Sequence, residues 1–374
     1  MWFLFLLCID WSFCSSFLSS PQGLARRFVP GGEAVLVVDA NAGAVLHQEH
    51  ATVRLHPASL TKMMTAYLAF DALAEGRMAV DEKLKVSARA AHQGGTVLGL
   101  DAGATLTAGE ALRAMIVRSA NDAAVVVAEH LAGSESAFAQ HMTARARALG
   151  MTATTFVNVT GMTDEGHLTT ARDMAVLALA LKRDHGLFFQ LFGTTSVTRK
   201  GKSLPTVNGF LVSYPGADGI KTGFTCAAGY NLVASARRQG HHLIAVVMGA
   251  NSKAQRLQRM RQLLDRAFAG LARKDGGGES KAGVNVTALV NSDALSSSRR
   301  AEVCPGGIPP TAGTVTANSR LPQRSLSGWA LDVGLFKRPS EAYAHATREA
   351  QRLAGQLKGG VPATVLKAGD GRVS

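Results

Sequence analysis

The sequence predicts an α+β catalytic domain built on an antiparallel sheet, followed by a polar linker and a small C-terminal module. Three observations carry this. Strand-like segments stand at both ends of residues 26–272 with helical periodicity between them, so the terminal strands are expected to share one sheet packed with helices, beside a helical subdomain. The composition changes at Lys274, where apolar residues thin out. The 374 residues correspond to about two domains at roughly 150 residues each. A hydrophobic content of 47% with 18% charged residues excludes a wholly disordered chain. The formal net charge of +13 favours anionic partners. No long uninterrupted apolar run exists, which excludes a polytopic membrane protein.

The elements follow in order. Residues 1–25 hold a short apolar stretch, then small and polar residues ending at Ala25, and read as an export signal. Asp10 interrupts the apolar stretch and no Lys or Arg precedes it, both atypical of such signals. Residues 34–39 (AVLVVD) and 44–48 are strands around the turn 40–43. Residues 59–73 are a helix after Pro57, with Leu60, Met63, Met64, Tyr67 and Leu68 as its apolar stripe. Residues 108–131 are helical with a break near Ser119 and Asn121, and helices follow at 136–149 and 170–182. Residues 230–236 and 242–248 read as a hairpin turning at Gln239-Gly240. Residues 254–271 form an amphipathic helix with Leu257, Met260, Leu263, Leu264 and Phe268 inward. Residues 273–327 are expected to be a disordered linker with too few apolar residues for a core. Residues 328–374 hold a strand (WALDVGLF), a helix at 340–357 and a strand at 363–367.

Three short motifs suggest chemistry. Ser59-Leu60-Thr61-Lys62 is S-x-x-K, Ser119-Ala120-Asn121 is S-x-N, and Lys221-Thr222-Gly223 is K-T-G. Singly each is weak, since a helix N-cap explains Ser59 and a solvated strand-end residue explains Lys221. Together their types are chemically coherent. Residues i and i+3 share a helix face, which puts the Ser59 hydroxyl beside the Lys62 amine. A serine needs a base to become a nucleophile. A lysine is a base near neutrality only when burial and a neighbouring cation depress its pKa, and Lys221 would supply that cation. Lys221 would also attract an anionic substrate group. Ser119 would relay a proton, and Asn121 would hold a substrate amide. Backbone N–H groups of Ser59 and Phe224 would form an oxyanion hole. Gly223 would leave room for substrate to lie along the strand edge.

PASLTKMMTAYL, IVRSANDAA and DGIKTGFT resemble the three active-site signatures of the penicillin-binding serine peptidases. More narrowly, the chain resembles the low-molecular-mass D-alanyl-D-alanine carboxypeptidases. The stretches AFAQHMTARARALGMTATTFVNVTGM, LTTARDMAVLALAL and GYNLVASARRQGHHLIAVVMGA extend the likeness. It covers roughly two-thirds of the chain. The resemblance implies the penicillin-binding-protein/β-lactamase-like transpeptidase fold and an acyl-serine enzyme that trims the terminal D-alanine of peptidoglycan stem peptides. It implies β-lactams as covalent inhibitors and a periplasmic or otherwise extracytoplasmic location. It assigns Ser59 as nucleophile, Lys62 as base, Ser119 as proton relay, and Asn121, Lys221 and Thr222 as substrate binders. Two stretches depart from the family pattern, Met142-Thr143 and Thr206-Val207-Asn208, the second bearing on recognition of the substrate tail. Residues 329–357 resemble the start of a SPOR domain, a ferredoxin-like module that binds denuded peptidoglycan, here only partial.

Other residues carry less. Four Cys (8, 14, 226 and 304) without C-x-x-C spacing exclude a zinc ribbon. Cys226 reads as a small, buried apolar residue, and the sequence leaves open whether it pairs with Cys304. The eleven His have no metal-ligand spacing, so neither metal nor cofactor is expected. No aromatic-interleaved basic groove points to nucleic acid. The alternatives are a D,D-endopeptidase, a class A-like β-lactamase and a non-catalytic wall-binding scaffold. The lactamase needs a Glu-activated water, and Glu165 has no Asn placed to complete such a site.

Overall fold

The computed structural model describes residues 28–29, 32–275, 283–292, 294–296 and 303–304. The expected export signal and the SPOR-like segment lie outside the described residues.

The core is a five-stranded antiparallel sheet. Its strands are β1 (Ala34–Asp39), β2 (Val45–Glu49), β3 (Ala217–Thr225), β4 (Gly229–Arg238) and β5 (His241–Ala250), in the order β2-β1-β5-β4-β3. The two ends of the domain therefore meet in one sheet, with β1 paired to β5 in register Val37 to Ala245. Both faces are covered, which is why β1 and β5 read as near-continuous apolar runs and not as alternating ones. Val35, Val37, Leu232, Ala234, Ala245 and Val247 face α6 (Lys253–Asp275), which presents Met260, Leu263, Leu264 and Phe268. Their neighbours Leu36, Val38, Val233, Ile244 and Val246 face the opposite way into the main helical core.

That core holds α1 (Lys62–Ala74), α2 (Ala108–Val117), α3 (Asn121–Ala132), α4 (Glu135–Ala148) and α5 (Ala171–Asp184). Thr107 and Glu110 close a capping box that starts α2. The expected break in the long apolar stretch falls at 118–120, where Ser119 has φ +60°. Two small two-stranded sheets that the periodicity does not predict pair Lys83–Lys85 with Thr105–Thr107 and Ser196–Arg199 with Lys202–Pro205. These strands are three or four residues long, too short for a period to register.

Part of the expected linker packs onto the domain. Val286 is fully buried, and its N–H donates to Gly43 O at 2.9 Å. The buried Arg172 donates to Val286 O and Thr287 O, and Asn291 Nδ2 donates to Asp173 Oδ1 at 2.9 Å. A buried Arg–Asp pair and backbone hydrogen bonds replace the apolar face whose lack suggested disorder. Cys226 forms a disulfide with Cys304, 78 residues later. This corrects the reading of Cys226 as a buried apolar residue. Periodicity cannot reveal such a bond, because its partner lies beyond the domain's last helix.

Candidate active site

The site begins with a turn. Pro57 leads into a 3-10 turn at Ala58–Thr61 that carries Ser59, and α1 starts at Lys62. Ala58 has φ +50°, a left-handed conformation disfavoured for a residue with a Cβ. Several contacts hold it there. Asn231 Nδ2 donates to His56 O and Pro57 O at 3.0 and 3.1 Å. Thr61 Oγ1 donates to Ala58 O at 2.8 Å. Two glycines let other walls close on the turn. A Cβ on Gly161 would stand 1.8 Å from Ala58 O, and one on Gly223 would stand 3.2 Å from Ser59 N. At Gly223 the missing side chain admits the Ser59 turn itself, and Gly161 admits it from a second side.

Lys62 sits one turn along from Ser59 and is fully buried. Its Nζ lies 3.0 Å from Ser59 Oγ and donates to Thr160 O at 2.6 Å. Burial pushes its pKa well below the ordinary lysine value, and the nearby charge of Lys221 adds to the shift. The Asp122 charge opposes the shift, and its carboxylate accepts from the backbone N–H groups of Leu98, Gly99 and Leu100.

The opposite wall carries the second pair. Lys221 on β3 is 1% exposed, and its Nζ donates to Ser119 Oγ at 2.9 Å and to Thr222 O at 2.9 Å. Burial, with Arg256 nearby, pushes its pKa down to about 7. β3 is the edge strand of the sheet, so its outer side faces the Ser59 turn and not another strand of that sheet. Thr222 is buried, whereas the Phe224 side chain is half-exposed with its ring 4.3 Å from that of Tyr230. Asn121 starts α3; its Nδ2 donates to Gly94 O and its N–H to Thr96 O, each at 2.7 Å. Ser59 with Lys62 and Ser119 with Lys221 thus form two pairs, and Thr222, Gly223 and Phe224 continue β3 past the Ser59 turn. Asn121 holds the loop 94–96.

Sequence reasoning missed a supporting set. Thr160 supplies the carbonyl that Lys62 holds, and Asn158 Oδ1 fixes that loop by accepting from Thr160 N and Gly161 N. His167 Nδ1 accepts from Val157 N, so its Nε2–H faces Thr61 Oγ1 at 2.8 Å. Burial lowers the His167 pKa to about 4, which keeps it neutral. Arg256, 3% exposed, donates to Asn231 O and lies behind Lys221. The signal for the loop was in the sequence as Asn158-Val159-Thr160-Gly161. Arg256 gave no signal, since one cation on an amphipathic helix resembles its solvated neighbours.

Residues 30–252 match the D-alanyl-D-alanine carboxypeptidase family. The D-alanyl-D-alanine carboxypeptidase DacF of Bacillus subtilis is 37% identical over 242 residues, covering 63% of this chain and 62% of that protein. DacA of Escherichia coli is 33% identical over 277 residues, covering 70% of this chain and 69% of that protein. The chain thus spans less than two-thirds of the Bacillus relative. Among solved structures, penicillin-binding protein 5 of Haemophilus influenzae aligns at a TM-score of 0.61 and 33% identity, over 63% of this chain and 70% of that one. Penicillin-binding protein D2 of Listeria monocytogenes in its ampicillin-bound form aligns at 0.55 and 32% identity, over 63% of this chain and 96% of that one. By sequence, fold and the convergence of the three motifs on one cleft, the chain belongs to the D-alanyl-D-alanine carboxypeptidase family of low-molecular-mass penicillin-binding proteins.

Proposed function

We propose that the cleft is that of a serine-type D-alanyl-D-alanine carboxypeptidase, which removes the terminal D-Ala from peptidoglycan stem peptides. The single observation that carries this is the pairing of two buried lysines with two serines across one cleft, Lys62 on Ser59 and Lys221 on Ser119. The neutral Lys62 amine takes the Ser59 proton while keeping its own N–H on Thr160 O. Ser59 Oγ then attacks the carbonyl carbon of the penultimate D-Ala. The N–H groups of Ser59 and Phe224 receive the developing oxyanion. Lys221 and Thr222 bind the terminal carboxylate. As the C–N bond breaks, the leaving amine recovers the proton from Lys62 through Ser119. Asn121 steadies the substrate backbone along the open edge of β3. Water then cleaves the acyl-serine ester, adding hydroxyl to the carbonyl carbon and hydrogen to Ser59.

A β-lactam enters the same chemistry, but its leaving nitrogen stays tethered to the acyl group. The ampicillin-bound Listeria neighbour supports this reading. Among the described residues no carboxylate hydrogen-bonds Ser59 or Lys62, which favours a persistent acyl-enzyme over a lactamase. An extracytoplasmic location is supported by the Cys226–Cys304 disulfide, a bond that persists in oxidising compartments. Incubation with a pentapeptide muropeptide, followed by mass analysis, tests the proposal. Loss of one alanine is the expected product. Unchanged substrate contradicts the proposal, and splitting of cross-linked dimers alone redirects it to an endopeptidase, the activity named for a 32% identical Escherichia coli relative.

A further inference from the structure

The geometry points to the Cys226–Cys304 disulfide as a positioning element for acylation, a covalent tie between the turn that follows β3 and the chain that runs beside the approach to Ser59. The inference rests on the proposed acyl-serine chemistry. That approach is the lead into the nucleophile turn. Thr52 O accepts from Ser292 N at 3.2 Å, Arg54 N donates to Ala294 O at 3.0 Å, and Arg54 bridges Leu295 in parallel fashion. Ser292, Ala294 and Leu295 therefore run beside residues 52–54, a few positions before Ser59. On the other side is the end of β3. Cys226 follows Thr225 directly and stands three residues after Gly223, where a Cβ would lie 3.2 Å from Ser59 N. From Ser296 the chain has only eight residues in which to reach Cys304, a span of at most roughly 28 Å. The disulfide thus joins the polypeptide lying along one wall to the turn that ends the other.

That turn needs a restraint. β3 pairs with β4 on one side only, and its last residues form the end of an edge strand. Among the described residues, side-chain hydrogen bonds link its surroundings to the facing segments. Thr163 Oγ1 donates to Thr225 Oγ1 at 3.0 Å, and the Asn231 amide reaches back to His56 and Pro57. The same stretch carries the Phe224 N–H proposed for the oxyanion. A shift of about 1 Å there is enough to weaken catalysis strongly, because oxyanion donors act through fixed geometry. The bulk of the domain is held independently by the two cores on either face of the sheet.

The test compares wild-type protein, Cys304→Ser and the Cys226→Ser/Cys304→Ser double variant. The readout is the rate constant for covalent labelling by a fluorescent penicillin, measured well below the melting temperature. Both variants are expected to label about three- to tenfold more slowly, to the same extent as each other, with unchanged far-UV circular dichroism. Wild-type protein reduced with dithiothreitol is expected to match them. In that step each cysteine sulfur gains one hydrogen as dithiothreitol closes to its cyclic disulfide. Oxidised glutathione should restore the rate in the wild type and not in Cys304→Ser. Wild-type labelling rates in folded reduced protein and in Cys304→Ser overturn the inference. Should Cys304→Ser fail to fold, the reduced wild type decides. Unfolding on reduction also overturns it, because the bond would then be a global staple. A wild type that never labels contradicts the proposed function instead, so the two failures are distinguishable.

Discussion

Two lysines of the same cleft are buried to the same degree, and each faces a serine, yet their surroundings differ. Lys62 has a backbone carbonyl and a hydroxyl within reach and a cation close by. Lys221 likewise has a carbonyl and a hydroxyl, but its cationic neighbour is Arg256 on the far side of β4. Burial lowers both. The charge of Lys221 adds to the shift at Lys62, and that of Arg256 adds to the shift at Lys221. The cations therefore stand in series, from Arg256, whose pKa burial lowers to about 10 and which keeps its charge at neutral pH, to Lys221 to Lys62. Residue type does not decide which lysine is base and which is anion binder; the order of neighbours does.

Removing the base has the largest expected effect. Lys62→Ala should slow labelling by a β-lactam roughly a thousandfold, the scale of a lost general base, with the fold intact. Stopped-flow or gel-based labelling checks this, and a rate equal to wild type would remove Lys62 from its role. The next effect concerns Lys221. Activity needs Lys62 neutral and Lys221 charged. It should therefore rise with pH through the lowered Lys62 value and fall as pH passes about 7, where Lys221 loses its proton. Lys221→Ala should lower kcat/KM about 10- to 100-fold, as expected for a lost charge-assisted hydrogen bond to the substrate carboxylate. The smallest change probes this series. Arg256→Gln removes a cation from behind Lys221, so the alkaline limb of the kcat/KM profile should move up in pH. An unmoved limb would disconnect Arg256 from the site.

Much of this was legible in the residues. The three motifs located every side chain of the two Ser–Lys pairs, because i, i+3 spacing and strand context are local properties. The meeting of the terminal strands followed from their apolar runs, and the break at Ser119 from the clustering of polar residues inside an apolar stretch. What stayed hidden depended on distant partners. Thr160 acts through its carbonyl, which every residue possesses. His167 acts from 106 positions beyond Thr61. The packed segment 283–292 is polar and held by Arg172 and Asp173, so its composition resembled a linker. The bond between Cys226 and Cys304 joins residues whose separation carries no periodic signature.

The claim beneath the whole account is that the Lys62 amine is uncharged beside Ser59 when substrate arrives. Lysine labelled with carbon-13 at Cε reports this directly, with the Lys62 signal identified by its disappearance in Lys62→Ala. The account predicts a resonance titrating far below the ordinary lysine range, moving lower still when Lys221 is charged. A Lys62 signal that titrates like a surface lysine would contradict it.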